Sequence, residues 1–362
     1  MTLIVHAPNV HQGGGRTLLL SVLNAIAADD SLALLDSRLD RTSTPPALAV
    51  ECFSPTLLGR WRAERRVKSL AKPGDTVLCF GNLPPLLRNQ GEVVVFLQNR
   101  YLFGQRDLRA FTLWERLRIR LERLWFAQRM DASSMAIYVQ TPSMADELQR
   151  ETGIKARVFP FAPLETPPMD ALEEPQFDFI YVASGEPHKN HRQLIDAWKL
   201  LGQQGILPSL CLTLDPHTNA ALVQHLQSIN REHGLRITNL GTVATSEMAQ
   251  SYRQARALIY PSALESFGLP LIEAAELGLP ILASELDYVR DVVTPVASFN
   301  PHSPLSIARA VKRFLHENEE PQRVSSPMDF VHAVLGQSPS GQGFKNERRL
   351  KSDHPSHERS AL

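Results

Sequence analysis

Residues Tyr260–Ser284 read YPSALESFGLPLIEAAELGLPILAS. The apolar run Ala257–Tyr260 just before this stretch has the composition of a buried strand, and so does Pro280–Ala283 near its end. Between them a turn containing Ser266, Phe267 and Gly268 leads into a helical pattern over 270–278. Pro270 suits the first helical position, because the N–H it lacks has no partner there anyway. Strand, turn, helix and strand in so few residues make one β/α/β unit, which requires a parallel sheet with helices packed on it. The helix start also leaves the amides of Gly268 and Leu269 free at the positive end of a helix dipole, an arrangement that attracts anions. Glu265 precedes the turn and Glu273 lies in the first turn of the helix, eight residues later.

The same alternation extends in both directions. Upstream, strands are expected at Phe177–Ala183, Leu210–Leu214 and Ile237–Leu240, with helices near 191–204, 217–233 and 245–255; a further helix is expected near 304–316. The N-terminal half repeats the pattern. Leu3-Ile4-Val5 forms a strand, a loop ends at Gly13-Gly14-Gly15, and a helix runs from Thr17 to Ala28. Strands follow at Thr76–Phe80, Val93–Leu97 and Ala136–Gln140, with a long helix over roughly 107–130 between the last two. Phe159–Pro175 contains five prolines and several acids, which suits an interdomain connection. The chain therefore divides into a Rossmann-like domain over 1–165, a linker over 166–176, a second Rossmann-like domain over 177–335 and a polar tail over 336–362 that is expected to be disordered.

Composition narrows the class. The chain has 362 residues, 43% hydrophobic and 21% charged, enough for two ordinary globular cores. No apolar run approaches the ~18 residues of a membrane span, and MTLIVHAPNV has no basic residue before its apolar stretch, so neither a span nor a signal peptide is expected. Cys52, Cys79 and Cys211 share no metal or disulfide spacing, which fits isolated thiols in a reducing, cytoplasmic compartment. The net charge of zero conceals an asymmetry. Residues 1–165 carry 21 Lys+Arg against 16 Asp+Glu, and residues 166–316 carry 11 against 15. A basic first half suggests an anionic partner.

Two further segments bear on chemistry. In Tyr181–His191, YVASGEPHKNH, a strand runs into a Gly-Pro turn and places Lys189 at the start of a helix, where it supplies a point charge to a phosphate. An ordinary surface lysine is the alternative. The Gly13–Gly15 run lets backbone approach a ligand closely, or is a plain flexible turn. It is not a dinucleotide fingerprint, because the third glycine position is Leu18. No P-loop, D-x-D or H-E-x-x-H occurs. His6, His11, His188 and His191 lie near the motifs but have no second ligand at useful spacing, so they are expected to be turn or surface residues.

The order Glu265, Ser-Phe-Gly-Leu-Pro, Glu273, Gly278 and Pro280 resembles the Glu-x7-Glu signature of glycosyltransferase family 4. The resemblance implies a GT-B fold, two Rossmann-like domains facing across a cleft. It implies a retaining transferase that uses a nucleotide-sugar donor without a metal or other cofactor. Glu265 would lie by the donor sugar and Glu273 would hold the nucleotide ribose. Lys189 and the N-terminal glycines, Gly14 and Gly15 among them, would contact the diphosphate, with Ser266, Phe267, Gly268 and Leu269 forming the turn around the donor. Ser184 stands where many members have an arginine, which lowers the positive charge available to the diphosphate. Gln98 and Asn99, after the strand Val93–Leu97, align with a position that often carries a histidine beside the sugar; a turn or capping role is the alternative. FGNLPP, FLQNRYLF and ASGEPHKNH look most like the branch that builds bacterial surface polysaccharides such as O-antigen, which implies a lipid-linked glycan acceptor. A nucleotide-binding protein without turnover and a GT-B sugar-nucleotide epimerase remain as other readings.

The surplus of positive charge is concentrated in Arg60–Lys68, RWRAERRVK, and in eight arginines within 100–129. Phe111, Trp114, Leu117, Leu121, Leu124 and Trp125 fall on one face of the expected helix. Basic amphipathic segments with tryptophan suit an anionic membrane surface, here the inner face of the cytoplasmic membrane. A core-packing helix with a solvated arginine face is the alternative. Nucleic acid is not indicated, since no recognised binding motif accompanies the charge.

Overall fold

The computed structural model describes residues 2–27, 31–104, 108–109, 111–130, 134–163, 174–317 and 327. Met1–His316 form one compact unit, separate from Glu317–Leu362. Of the latter, only Glu317 and Pro327 are among the described residues. The tail over 336–362 lies outside the described residues, as does most of the expected linker over 166–176.

The compact unit contains two parallel sheets. The N-terminal sheet has seven strands: β1 (Leu3–Ala7), β2 (Ser31–Asp36), β3 (Ala49–Phe53), β4 (Thr76–Cys79), β5 (Glu92–Phe96), β6 (Met135–Val139) and β7 (Arg157–Val158), in the order β3-β2-β1-β4-β5-β6-β7. The C-terminal sheet has six: β8 (Phe177–Tyr181), β9 (Leu210–Leu212), β10 (Ile237–Asn239), β11 (Ala255–Tyr260), β12 (Ile281–Ser284) and β13 (Ala297–Phe299), in the order β10-β9-β8-β11-β12-β13. All pairings are parallel, with Val5 opposite Ala33 and Leu258 opposite Ile281. Central strands are covered on both faces and are correspondingly apolar: Val5, Ala33, Val77, Leu258 and Ile259 are fully buried. Chain order reverses between β1 and β4 and again between β8 and β11. Loops leaving the C-terminal ends of such a pair diverge and open a crevice.

Helices α1 (Gly13–Ala25), α2 (Leu57–Leu70), α3 (Leu113–Arg129) and α4 (Pro142–Thr152) cover the first sheet. Helices α5 (His191–Gln203), α6 (Ala220–His233), α7 (Thr245–Arg253), α8 (Leu269–Glu276), α9 (Asp287–Arg290) and α10 (Pro304–Phe314) belong to the second. Local signals start several of them. Thr112 and Glu115 form a reciprocal capping box on α3, and Pro142 occupies the first turn of α4 behind the cap Thr141.

The structure corrects three expectations. Gly13–Gly15 are the first turn of α1 and not a preceding loop; Gly13 enters it at φ +63°, a conformation that costs glycine nothing. The expected surface histidines His6 and His191 are buried. His6 lies on a central strand, where alternate side chains must point into a covered face, and His191 packs against the ring of Tyr181 at 4.8 Å. Arg60 is not a surface charge, because it lies beneath the ring of Trp125 at 5.0 Å with its Nε 3.1 Å from the buried carboxylate of Glu64.

Candidate active site

The loops after β8 and β11, neighbours in the second sheet, converge on one ion pair. A 3-10 turn, Pro187–Lys189, follows β8, and Asn190 closes it at φ +64°. The amide of Asn190 donates to the carbonyls of Pro261 at 3.1 Å and Pro301 at 2.5 Å, which ties this turn to the loop after β11. Ala263 N donates to the carbonyl of His188 at 2.8 Å and strengthens the same link. Lys189 Nζ thereby reaches Glu265 Oε1 at 2.7 Å.

The carboxylate of Glu265 also accepts from the hydroxyl of Tyr260, 2.9 Å from the same oxygen. Burial pushes the Glu265 carboxyl up, but Lys189 chiefly, then His188, outweigh it and hold the group below the usual carboxylate range. Glu265 is therefore an anion at neutral pH. Tyr181, fully buried, donates to the carbonyl of Lys189 at 2.6 Å and stacks edge-on against Tyr260 at 5.6 Å. Burial, followed by Lys189, holds His191 down at about 3, so this ring stays neutral beside the pair.

Glu273 occupies α8, one turn beyond the helix start. Its carboxylate accepts from Tyr252 Oη at 2.7 Å, and Tyr252 is itself buried on α7. Burial raises the Glu273 carboxyl above its ordinary value, and the tyrosine bond offsets part of that rise. Gly268 opens the helix at φ +78° with no side-chain cap; Pro270 has no N–H and Leu271 N donates back to the Gly268 carbonyl at 2.9 Å, which leaves the amides of Gly268 and Leu269 as the donors for an anion. A side chain at Gly268 would also press on Leu271 at 3.0 Å.

The Ser266–Leu269 turn reaches the N-terminal sheet. The hydroxyl of Ser266 donates to the backbone carbonyl of Gln98, and its carbonyl accepts from Thr141 Oγ1 at 3.3 Å. Phe267 and Leu269 are buried within the apolar cluster of the first domain. Gly14 permits this approach, since a Cβ there would lie 3.2 Å from Leu269 Cδ1. Gln98 is fixed from its own domain, its side-chain amide donating to the Phe80 carbonyl at 3.2 Å and its backbone N–H to Asn82 Oδ1 at 2.5 Å. A Cβ on Gly15 would lie 3.6 Å from Gln98 Oε1, so this amide faces the glycine turn. Asn99 is engaged as a cap, accepting from Tyr101 N at 2.9 Å. Ser184 is exposed, and its hydroxyl is bonded to Glu186.

The sequence-predicted residues thus fall into two linked groups. Lys189, Glu265, Gly268 and Glu273 line the C-terminal ends of β8 and β11. Gly14, Gly15 and Gln98 face them from the first domain across Ser266, Phe267 and Leu269. Tyr181, Tyr252, Tyr260 and Thr141 complete the site and were not anticipated. Their positions relative to the acids depend on packing between elements, for which a single sequence holds no spacing signal.

Residues 166–326 match the family described as glycosyl transferases group 1. The matched residues include the whole of the C-terminal sheet, β8 to β13. A stretch of 142 residues, 38% of this chain, is 30% identical to the serotype-specific mannosyltransferase WbdA of Escherichia coli and covers 17% of it. Another of 135 residues, 37% of this chain, is 30% identical to the O-antigen chain mannosyltransferase RfbU of Salmonella typhimurium and covers 37% of that protein. The chain therefore spans well under half the length of these relatives. The crystal structure of Anabaena Alr3699/HepE in complex with UDP-glucose superimposes with a TM-score of 0.66, covering 88% of this chain and 90% of that one at 17% identity. The two parallel-sheet domains are those of a GT-B fold, as the resemblance implied. The Lys189–Glu265 pair and Glu273 all lie within the residues matched by that family, whereas Gly14 and Gln98 belong to the N-terminal domain.

Proposed function

We propose that the chain is a retaining hexosyltransferase. It moves a sugar from a nucleotide-sugar donor to a lipid-linked glycan acceptor in bacterial surface-polysaccharide synthesis, at the inner face of the cytoplasmic membrane. The observation that carries this reading is the buried Lys189–Glu265 pair, set at the end of β8 and β11 with Glu273 one helical turn into α8. The likeness to mannosyltransferases of O-antigen assembly supports the same class of reaction and points to mannose as the first sugar to test.

In this mechanism the acceptor hydroxyl attacks the anomeric carbon on the face from which the diphosphate departs. The new C–O bond forms as the bond to phosphate breaks, and the departing phosphate oxygen takes the acceptor proton. No side chain becomes covalently attached. Glu265, anionic and held by two donors, favours positive charge developing at the anomeric carbon. Lys189 and the opening amides of α8 and α1 favour the charge developing on the diphosphate. Glu273 accepts from the ribose hydroxyls. We also propose that neither metal nor cofactor takes part, with Lys189 and the amides at the openings of α8 and α1 balancing the diphosphate charge instead.

The test is incubation of the full chain with UDP-, GDP-, dTDP- and ADP-sugars, with and without a lipid-linked acceptor. Transfer with the anomeric configuration of the donor preserved is the expected result. Inverted product would overturn the retaining mechanism. Binding without transfer or slow hydrolysis would instead favour a nucleotide-binding protein. The bond from Ser184 to Glu186 keeps that second reading open, because it sets an acid beside the position where the family resemblance implies an arginine.

A further inference from the structure

Helices α2 and α3 of the first domain carry apolar side chains that neither core nor site employs. Leu57 is 92% exposed at the start of α2, followed by Leu58 and Trp61 on the same open surface. At the start of α3, Leu113 is 78% exposed and Trp114 81%, and Leu117, Leu121 and Leu124 continue outward along the helix. The inner faces are already in use: Ala63 and Val67 of α2, and Ile119 and Phe126 of α3, are buried. The helices meet where Arg60 lies over Trp125, so both exposed stripes flank one seam. Outward leucines and tryptophans on that scale mark a surface that meets something other than water.

The charges identify the partner. Every fully exposed charged side chain on these two helices is basic, Arg62, Arg65 and Lys68 on α2 and Arg118 and Arg120 on α3 among them. The acids are turned away or engaged. Glu64 is buried, Glu115 is spent in the capping box, and Glu122 is half-buried beside Arg118. Tryptophan and leucine at interfacial depth, bordered by arginines that reach outward, match a bilayer surface bearing negative headgroups. The same helices grip the loop that leaves the C-terminal end of β4. Glu64 accepts from Leu86 N at 2.7 Å, and Trp125 Nε1 donates to the Pro84 carbonyl at 3.1 Å. The surface is therefore joined directly to the crevice side of the first sheet.

We propose that the outer faces of α2 and α3 together form a docking surface for an anionic lipid bilayer. Trp61, Trp114 and Leu117 enter the headgroup boundary, and Arg118 and Arg120 pair with lipid phosphates. This names the protein surface behind the lipid-linked-acceptor reading and rests on it for its biological use. Its test requires neither donor nor acceptor, so the two stand or fall separately.

The full chain is sedimented with vesicles of phosphatidylcholine alone or of phosphatidylcholine mixed with phosphatidylglycerol. Binding is expected only to the mixed vesicles, with a blue shift of tryptophan fluorescence and release at high salt. Trp114→Ser combined with Leu117→Ser should lower the partition coefficient at least about tenfold. Arg118→Gln combined with Arg120→Gln should lower it by roughly tenfold to thirtyfold. All four positions are exposed, and an unchanged melting temperature would establish that each pair leaves the fold intact. Equal binding to both vesicles, binding to neither, or variants that bind like the wild type would overturn the proposal. So would a dimer in solution that the Trp114 variant dissociates, since a second copy would then be the occupant of this face.

Discussion

Lys189 and Glu265 are 76 residues apart in the chain, yet Nζ and Oε1 lie 2.7 Å apart with both side chains largely out of solvent. Two neighbouring strands make this possible, because β8 and β11 end side by side and each is followed at once by a turn that holds its charged residue inward. A pair of this kind is weak evidence for stability but strong evidence for a use of charge, since burying it costs much of what the attraction returns.

The first prediction separates those two roles. Lys189→Met should destabilise the fold by about 3 kcal/mol, because it leaves a buried carboxylate unpaired. Adding Glu265→Gln should restore most of that loss in chemical denaturation while leaving turnover abolished. A double variant as unstable as the single one would show that the pair is not coupled. The pH dependence has a definite sign. Glu265 titrates below its unfolded value, so its contribution is complete above about pH 4.3 and is lost as pH falls through the lowered folded value.

The two acids should fail in different ways. Glu265→Ala is expected to lower kcat at least a hundredfold with little change in nucleotide affinity, in keeping with a role in charge stabilisation worth about two orders of magnitude. Glu273→Ala is expected to weaken nucleotide binding and raise KM. Steady-state kinetics with titration calorimetry distinguishes them, and wild-type behaviour of both would sink the site assignment.

Tyr252 enters through Glu273. Removing its hydroxyl in Tyr252→Phe takes away a bond that lowers a carboxyl pKa already raised by burial. If Glu273 binds the ribose as proposed, nucleotide affinity should fall as pH drops through this raised value, at a pH where an ordinary glutamate is still charged. The fall should begin at higher pH in Tyr252→Phe. Identical affinity–pH curves for the variant and the wild type would show that the tyrosine only fills space.

Beneath the first sheet, Glu64 joins α2 to the loop after β4, with Arg60 Nε at 3.1 Å and Leu86 N at 2.7 Å. Glu64→Ala leaves Arg60 buried without its anion and should cost about 3 kcal/mol or more in denaturant unfolding. A loss within the ordinary surface range of about 0.5 kcal/mol would mean that Arg60 escapes to solvent.

In the proposed scheme Lys189 and the helix amides balance the diphosphate without a cation, so activity is expected to be unaffected by excess EDTA. Loss of activity that only Mn²⁺ or Mg²⁺ restores would replace this scheme with a metal-assisted one.

Much of this was legible in the chain. The strand–turn–helix–strand reading of Tyr260–Ser284 holds, with α8 beginning at Leu269 and β12 at Ile281, because proline and glycine act locally on backbone geometry. The alternation of apolar runs located nine of the strands within a few residues. It did not mark β2, β3 or α2, where SLALLD is a short apolar run that periodicity cannot distinguish from a helix, and where α2 presents mostly as a run of arginines. On α3 the sequence placed Trp114 and Trp125 on one face. In the structure Trp125 turns in to meet Pro84 while Trp114 stays outside.

The sequence by itself determined the two-sheet architecture, the positions of Lys189, Glu265 and Glu273 at element ends, and the basic character of the first domain. These rest on interactions within a few residues: side-chain alternation, helix starts and charge counts. Only the tertiary structure decided which of those charges are partnered. It brought Tyr260 and Lys189 onto one oxygen of Glu265, sank Arg60 and His6 beside Glu64, and set Ser266 against Gln98 across 168 residues of chain. Such contacts follow from the order and crossing of whole elements, and no spacing within a single sequence encodes the distance between two loops that meet only when both sheets are complete.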